Sequence, residues 1–474
     1  MRPVAAAPTA DGAQRGFWPS VREAMRGSEQ DYTAGPVGRS VLLLAVPMVL
    51  EMALESLFAL TDIFFVAKLG PDAVAAVGLT ESLLALVYAL AMGLSVGATA
   101  VVARRIGEKD TEGAAHAAVQ AVLLALVVSL VLGATGAWLA PELLALMGAS
   151  PGVIATGLGY TRVMLGGEAT IVLLFVVNAI FRGAGDAAIA MRVLWLASGI
   201  NIVLGPLFIF GLGPFPELGV TGAAVATTIG RATGALVALS RLVAPGSRIP
   251  VRRRHLGLDI GVMAQIARLS STAALQTAIS TASWIGLVRI VSLFGSAALA
   301  GYTIGIRVVI FALLPAFGMS NAAATMVGQA LGAKNPERAE QSVWIAGRYA
   351  AYFLGAIGLV FLVLAAPIVR VFTADPAVVG YGVSCLRVVA SGFVFYAYGM
   401  VLTQAFNGAG DTLTPTLINL GVFWLFEIPL AYVLAVTLGL GPLGAFLAVA
   451  IAFSTLAVVS AVLFRRGRWR TSVV

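Results

Sequence analysis

Twelve stretches of about 20 or more mostly apolar residues, divided by glycine, proline and charge clusters, follow one another along this chain. A run of about 20 residues is what an α-helix needs to cross the hydrocarbon core of a bilayer. In lipid such a run has to satisfy its backbone polar groups internally, which a helix does. Barrel strands would instead show alternating segments of about 10 residues. Composition points the same way, with 59% of the 474 residues apolar and 11% charged. An ordinary soluble domain carries about 25% charged residues and covers its outside with them. The expected fold class is an all-α integral membrane protein. Its twelve transmembrane helices are expected over about 41–67, 73–102, 117–140, 157–181, 188–212, 219–243, 262–291, 297–328, 342–372, 379–406, 413–438 and 441–464.

Basic residues set the expected orientation. With the N-terminus in the cytoplasm, the arm carries Arg2, Arg15, Arg22, Arg26 and Arg39. The inner loops then carry Arg104, Arg105, Lys109, Arg182, Arg192, Arg241, Arg248, Arg252, Arg253, Arg254, Lys334 and Arg338, and the tail adds Arg465, Arg466, Arg468 and Arg470. The outer loops hold only Lys68 and Arg370. This asymmetry puts both termini in the cytoplasm of a plasma-membrane protein. It also accounts for the net charge of +8 without any nucleic-acid partner. Residues 1–39 show no apolar stretch with a cleavage site and read as a polar arm, not a signal peptide, with a short helix around Trp18–Arg26. The single cysteine, Cys385, excludes an intramolecular disulfide framework.

The chain repeats itself. Phe181-Arg182-Gly183-Ala184-Gly185-Asp186 returns 225 positions later as Phe406-Asn407-Gly408-Ala409-Gly410-Asp411. The same shift takes Gly107 to Gly332, Lys109 to Lys334, Gly70 to Gly295, Gly93 to Gly318, Arg162 to Arg387 and Pro151 to Pro376. Each unit has six crossings, so both units start on the same face and relate by a pseudo-two-fold axis along the membrane normal. The expected organisation is a cytoplasmic arm (1–40), a six-helix lobe (41–243), a basic linker (244–261), a second six-helix lobe (262–464) and a basic tail (465–474). Two six-helix bundles around a cleft form a transporter plan.

Ionisable groups inside a bilayer are costly and mark function by default. The first helix holds Glu51, Glu55 and Asp62. At about 100° per residue, Glu55 lies about 40° and Asp62 about 20° from Glu51, over roughly 16 Å of depth. A ladder of carboxylates on one face reads as a proton or cation pathway. The alternative is structural pairing with Arg162, Arg231 or Arg289. Glu427, beside Pro429, is the acid inside the second lobe, with pairing to Arg289 or Arg307 and a substrate role both open. Glu81 is open between a solvated helix end and a cleft role.

Pro47, Thr61-Asp62, Lys68-Leu69-Gly70 and Ala75-Ala76-Val77-Gly78 resemble the opening of the MATE (multidrug and toxic compound extrusion) transporters. Gly93-Leu94, Gly97, Val102-Ala103-Arg104 and Gly107 continue the likeness, as do Arg182–Asp186, Asn201–Gly211 and Gly219–Ala224. In the second half, Asn407–Asp411 and Gly439–Gly444 match. The resemblance implies an antiporter with two lobes and alternating access, expelling small amphipathic, often cationic compounds against H+ or Na+. It looks closer to the DinF-like branch, in which the first-helix acid, here Asp62, joins a fifth-helix Asn, here Asn201, and an Asp four residues on. Gly205 stands at that last place, which leaves Glu51, Glu55 or Glu168 to supply the carboxylate, with Thr227 as a hydroxyl partner. The NorM-like branch places acids on helices 7 and 10, and no acid lies between Asp259 and Glu337 here.

Met52, Phe64, Tyr88, Trp195, Trp284, Tyr302, Tyr396 and Glu427 are candidates for an adaptable cleft wall, against lipid-facing or core packing as the alternative. The Gly-x-Gly-Asp turns at 183–186 and 408–411 are tight turns between membrane helices and not phosphate loops. His116 and His255 lack a third ligand nearby, so no metal is expected, and no cofactor motif, catalytic triad or nucleotide-binding domain appears. The chain is expected to be no enzyme and to act as a monomer in the bilayer. The favoured function is multidrug export coupled to H+ in preference to Na+. The alternatives are a flippase for lipid-linked sugars, whose cleft would be strongly cationic, and a channel or receptor.

Overall fold

Glycine, proline and short polar caps set the helix ends throughout a computed structural model that describes residues 17–27 and 30–472, apart from the side chains of residues 17, 58–64 and 67. Among the described residues all regular structure is helical. The elements are α1 Phe17–Arg26, α2 Val37–Val66, α3 Pro71–Gly107, α4 Thr111–Trp138, α5 Ala140–Leu146, α6 Pro151–Gly166, α7 Glu168–Ala184, α8 Ala187–Phe210 and α9 Val220–Val243. The second half adds α10 Ile260–Val291, α11 Ser296–Gly332, α12 Pro336–Arg370, α13 Pro376–Ser391, α14 Phe393–Ala409, α15 Leu413–Asn419, α16 Ile428–Tyr432 and α17 Pro442–Arg465. Among the described residues eleven segments are long and apolar enough to cross a membrane, and the bent pair α13–α14 makes twelve.

The 225-residue shift is visible in the caps. Gly70 (φ 100°) and Gly295 (φ 95°) take the backbone into α3 and α11, both 37 residues long. Asp110 accepts from the Gly113 N–H at 2.8 Å to open α4, and Asn335 accepts from the Arg338 N–H at 3.0 Å to open α12. Gly185 and Gly410 end α7 and α14 in the left-handed conformation that glycine adopts without a Cβ penalty.

Three expectations change. The spans expected over 157–181 and 379–406 are each two helices, meeting at Gly167 and Gly392. A Cβ at Gly167 would crowd the Thr228 side chain, one at Gly392 would lie 3.2 Å from the Ala450 backbone, and α13 meets α14 at 57°. Arg182 is not in a loop: it sits inside α7 and is buried. The expected eleventh helix is α15, a π-helical stretch over Leu420–Glu427, α16, and a second π-helical stretch over Val433–Thr437. Pro429 has no N–H to give, and a π register accommodates the carbonyl it frees.

Two cores are exchanged at one end of the molecule. Val41, Leu44 and Met48 of α2 pack with the second lobe's core, while Ile266 and Leu269 of α10 pack with the first lobe's. Bare glycines allow the crossing. Gly93 of α3 lies against the Ser270–Ala274 backbone of α10, and Gly318 of α11 against Met48–Val49 of α2. This end carries the arginine-rich loops and is called the basic face below.

Candidate functional site

The polar residues of α2 are built into the first lobe. Glu51 is 1% exposed and its Oε1 accepts from Arg182 Nη1 of α7 at 2.6 Å, with Asn178 Nδ2 at 3.5 Å. The other carboxylate oxygen, Oε2, has no hydrogen-bond partner. One turn on, Glu55 lies in the field of Arg231 of α9. Arg231 Nη2 donates to the Tyr88 hydroxyl of α3 at 2.8 Å, and its guanidinium lies 5.8 Å from the Tyr88 ring centroid. Among the described side chains, Arg231 is the arginine of Arg162, Arg231 and Arg289 that faces a first-helix acid. The partner of Glu51, Arg182, was not among them.

Asn201 of α8 and Thr227 of α9 meet: Asn201 Nδ2 donates to Thr227 Oγ1 at 2.5 Å, both side chains being buried. Among the described residues, a Cβ at Gly205 would approach only Asn201 Oδ1, at 3.8 Å. A short side chain therefore has room to start beside that amide. Glu168 opens α7 and is buried, with Oε1 lacking a hydrogen-bond partner. It packs towards α4, since a Cβ on Gly133 would lie 3.3 Å from its Cγ. Asp62 and Phe64 lie outside the described side chains.

The second lobe is neutral at the equivalent places. The shift of 225 takes Glu51 to Gln276 and Arg182 to Asn407. Asn407 Nδ2 donates to Gln404 Oε1 at 2.6 Å, and Gln276 Oε1 is buried without a partner. Glu427 ends the first π-helical stretch, buried and with no ion pair to Arg289 or Arg307. Tyr302 and Tyr396 lie within its field. Tyr302 stacks on Phe446, and Tyr396 on Phe453 at 3.8 Å between centroids. Tyr302 and Glu427 are thus in the packed interior of the second lobe, not on an open wall. Trp284 is half-buried against the same core, Met52 is half-buried on α2, and Trp195 is exposed on α8. Exposed Glu81 of α3 lies in the field of exposed Arg307 of α11, across the line between lobes.

The seam on the basic face is stitched at main-chain carbonyls. Gln329 Nε2 of α11 donates to Gly183 O at 2.9 Å, and Thr325 Oγ1 to Arg182 O at 3.2 Å. In the opposite sense, Arg104 Nη2 of α3 donates to Ala409 O at 3.3 Å and to Ser472 O at 2.8 Å. The buried Glu51–Arg182 pair therefore belongs to the same helix end that the second lobe grips.

A family model described as MatE matches residues 47–207 and again 272–433, so the two matches begin 225 positions apart. The chain belongs to the MatE family. MatE proteins among its relatives include the probable multidrug resistance protein NorM of Thermotoga maritima, 28% identical over 442 residues, which span 92% of this chain and 94% of that protein. A FAD transporter of Shewanella oneidensis is 27% identical over 405 residues, 84% of this chain and 88% of that protein. Among solved structures, an outward-facing multidrug resistance MATE family transporter superposes with a TM-score of 0.87 at 28% identity, over 93% of this chain and 98% of that one. A MOP superfamily transporter of Pyrococcus furiosus, described as having a binding pocket of reverse polarity, matches with the same TM-score, identity and coverage. This MatE chain is accordingly a multi-pass membrane protein with transporter relatives.

Proposed function

We propose that this protein is a secondary active multidrug exporter of the plasma membrane. It antiports amphipathic, often cationic compounds against H+, less favourably Na+, by alternating access, as a monomer with the basic face and both termini in the cytoplasm. The observation that carries the coupling is the asymmetry between lobes. Glu51, Arg182, Glu55 and Arg231 are charged in the first lobe, whereas Gln276 and Asn407 stand at the equivalents of the pair Glu51 and Arg182. Intramembrane ionisable groups are functional candidates by default, and the first lobe pairs its acids with arginines, whereas the second lobe's acid, Glu427, lies in a packed core with no ion pair to Arg289 or Arg307; ion coupling is therefore assigned to the first lobe. This supports the DinF-like reading, with Asp62, Glu55, Glu51, Asn201, Thr227 and Glu168 as the coupling residues.

The proton enters at Asp62, passes to Glu55 and reaches Glu51. Protonating Glu55 weakens its hold on Arg231 and so alters what α9 presents to α3 through Tyr88. Protonating Glu51 leaves Arg182 as an uncompensated buried cation, an expensive state. That cost falls on the end of α7 whose carbonyls bind Thr325 and Gln329. Proton arrival at Glu51 thereby favours separation of the lobes on the basic face. Na+ is disfavoured because Gly205 supplies no ligand beside Asn201.

Efflux from vesicles under separately imposed pH and Na+ gradients tests the proposal. Glu55→Gln should slow pH-driven efflux while leaving drug binding nearly intact. Na+-driven efflux that ignores Glu55→Gln would refute proton coupling. A second reading, an amphipathic anion as cargo, is favoured by Arg231 and Arg307, which offset Glu55 and Glu81. Flavin nucleotide run in the same assay separates the two.

A further inference from the structure

We infer that the two segments leading into α2 and α10 are paired clasps that cross between the lobes, hold the basic face shut, and release before that face opens. The inference rests on the alternating-access reading above.

The first clasp is residues 30–36, ahead of α2. Arg338, 8% exposed at the start of α12 in the second lobe, spends its guanidinium on this segment. Its Nε donates to Tyr32 O at 2.9 Å, Nη1 to Gly35 O at 2.8 Å, and Nη2 to Ala34 O at 2.8 Å and Ser40 Oγ at 3.3 Å. The first lobe holds the same segment from the other side. Lys109 Nζ reaches Asp31 Oδ2 at 2.6 Å and Thr33 Oγ1 at 3.2 Å. The Tyr32 ring is buried under the Arg248 guanidinium, against Gly185 at the end of α7, where a Cβ would lie 2.8 Å from the ring. Arg192 of α8 donates to Met25 O at 2.8 Å and Arg39 pairs with Glu23 at 2.8 Å, which ties α1 down behind the clasp.

The second clasp is its counterpart under the 225-residue shift. Residues 30–35 map onto 255–260, the linker ahead of α10, and α12 maps onto α4. This linker docks on α4 of the first lobe. Gln120 Nε2 donates to Gly257 O at 2.8 Å, and the Asp259 N–H donates to Gln120 Oε1 at 3.1 Å. His255 Nε2 lies 2.8 Å from Glu112 Oε2, which Arg254 also engages, and His116 Nε2 lies 3.2 Å from Asp259 Oδ2. Each lobe's lead-in is thus held by the other lobe's α4 or α12. The clasp segments at 30–36 and 252–259 both fall outside the residues matched as MatE, 47–207 and 272–433.

Rocking the lobes apart on the basic face carries α12 away from Lys109 and Arg248, and the first clasp cannot stay bound to both. Charge-assisted bonds from one buried guanidinium to three carbonyls hold the second-lobe side. The exposed Asp31–Lys109 pair is the weaker link.

The test uses the full-length protein in lipid nanodiscs, with Cys385 replaced by alanine and Ala409→Cys as a reporter buried at the seam. The readout is its rate of reaction with a maleimide. Arg338→Gln should raise the rate roughly tenfold by shifting the population towards the open basic face. Asp31→Lys and Lys109→Asp should each raise it severalfold, and the double charge swap should bring it back. An unchanged rate in Arg338→Gln, or a charge swap that restores nothing, overturns the inference. If Arg338→Gln does not fold, the surface pair decides alone. No drug or gradient is present, so failure of the exporter reading in vesicles and failure of the clasp are read separately.

Discussion

Gly107 of α3 and Gly332 of α11 lie 225 positions apart and pack reciprocally: Gly107 rests on the main chain of Gln329, and Gly332 on that of Arg104, two residues that are themselves 225 apart. Ala103 and Gly328 meet between them. The two longest helices therefore touch backbone to backbone where the pseudo-two-fold axis meets the basic face. That closeness brings Arg104 and Gln329 within reach of carbonyls across the seam.

The first prediction concerns this crossing. A Cβ at either glycine overlaps main-chain atoms, which cannot move as a flexible side chain can. Gly332→Ala should destabilise the sealed form by about 1–3 kcal/mol, the usual range for overpacking. Maleimide reactivity of Ala409→Cys should rise in parallel. Unchanged melting and reactivity would show that the helices part without cost.

The second concerns Glu51 and Arg182. Removing one member of a buried pair costs about 3–5 kcal/mol, because the other charge stays behind. Arg182→Ala should lower the melting temperature sharply. The double variant Glu51→Gln with Arg182→Asn copies the residues at the equivalent second-lobe positions, so it should recover much of the stability and none of the pH-driven efflux. Recovery of efflux in the double variant would make the pair structural only.

Gly205 supplies the third. With only Asn201 Oδ1 near its absent Cβ among the described residues, Gly205→Asp should fold and place a carboxylate beside Asn201 and Thr227. Efflux should then respond to an imposed Na+ gradient. A folded variant driven by pH alone would remove the Asn201–Thr227 pair from ion selection.

The fourth concerns pH at the first clasp. Partial burial raises the Asp31 carboxyl pKa, but hydrogen bonds from Lys109 and Thr33 outweigh this and bring it down to about 2 from 3.8. A depressed carboxylate contributes above its unfolded value and loses that contribution as pH falls through about 2. Acidification from pH 7 to pH 5 should therefore leave the Asp31–Lys109 pair intact, checked by the chemical shift of a 13C-labelled Asp31 carboxyl. A titration midpoint above pH 4 would contradict it.

Much of the fold is legible in residue order, because lipid leaves few options: apolar run lengths give the spans, and the shifted motifs give the two lobes. The breaks at Gly167 and Gly392 are not legible, since glycine inside a long apolar run says nothing about a neighbour approaching from α9 or α17. The site is partly legible. The shared face of Glu51 and Glu55 follows from helical periodicity, and the Asn201–Thr227 pairing followed from the family likeness. Arg182 was missed because an arginine beside Gly183 and Gly185 at a span end reads as a loop cation, and its partner is 131 positions away. One signal was available. Where the repeat keeps Phe, Gly, Ala, Gly and Asp, it exchanges Arg182 for Asn407, and at the same shift it exchanges Glu51 for Gln276.

The seam and the first clasp take their hydrogen bonds at the carbonyls of Arg182, Gly183, Ala409, Tyr32, Ala34 and Gly35. Every amino acid offers a carbonyl, so as acceptors these positions ask nothing of their side chains, whereas Arg104, Gln329, Thr325 and Arg338 donate through theirs; Arg182, Tyr32 and Gly35 are held to their identities by other features, the Glu51 pair, the Arg248 stack and a left-handed φ of 73°. What the segment before α2 has to conserve is spacing. Inserting or deleting a single residue between Gln30 and Pro36 would put all three acceptors of Arg338 out of step at once, a larger injury than exchanging Ala34 for almost anything else.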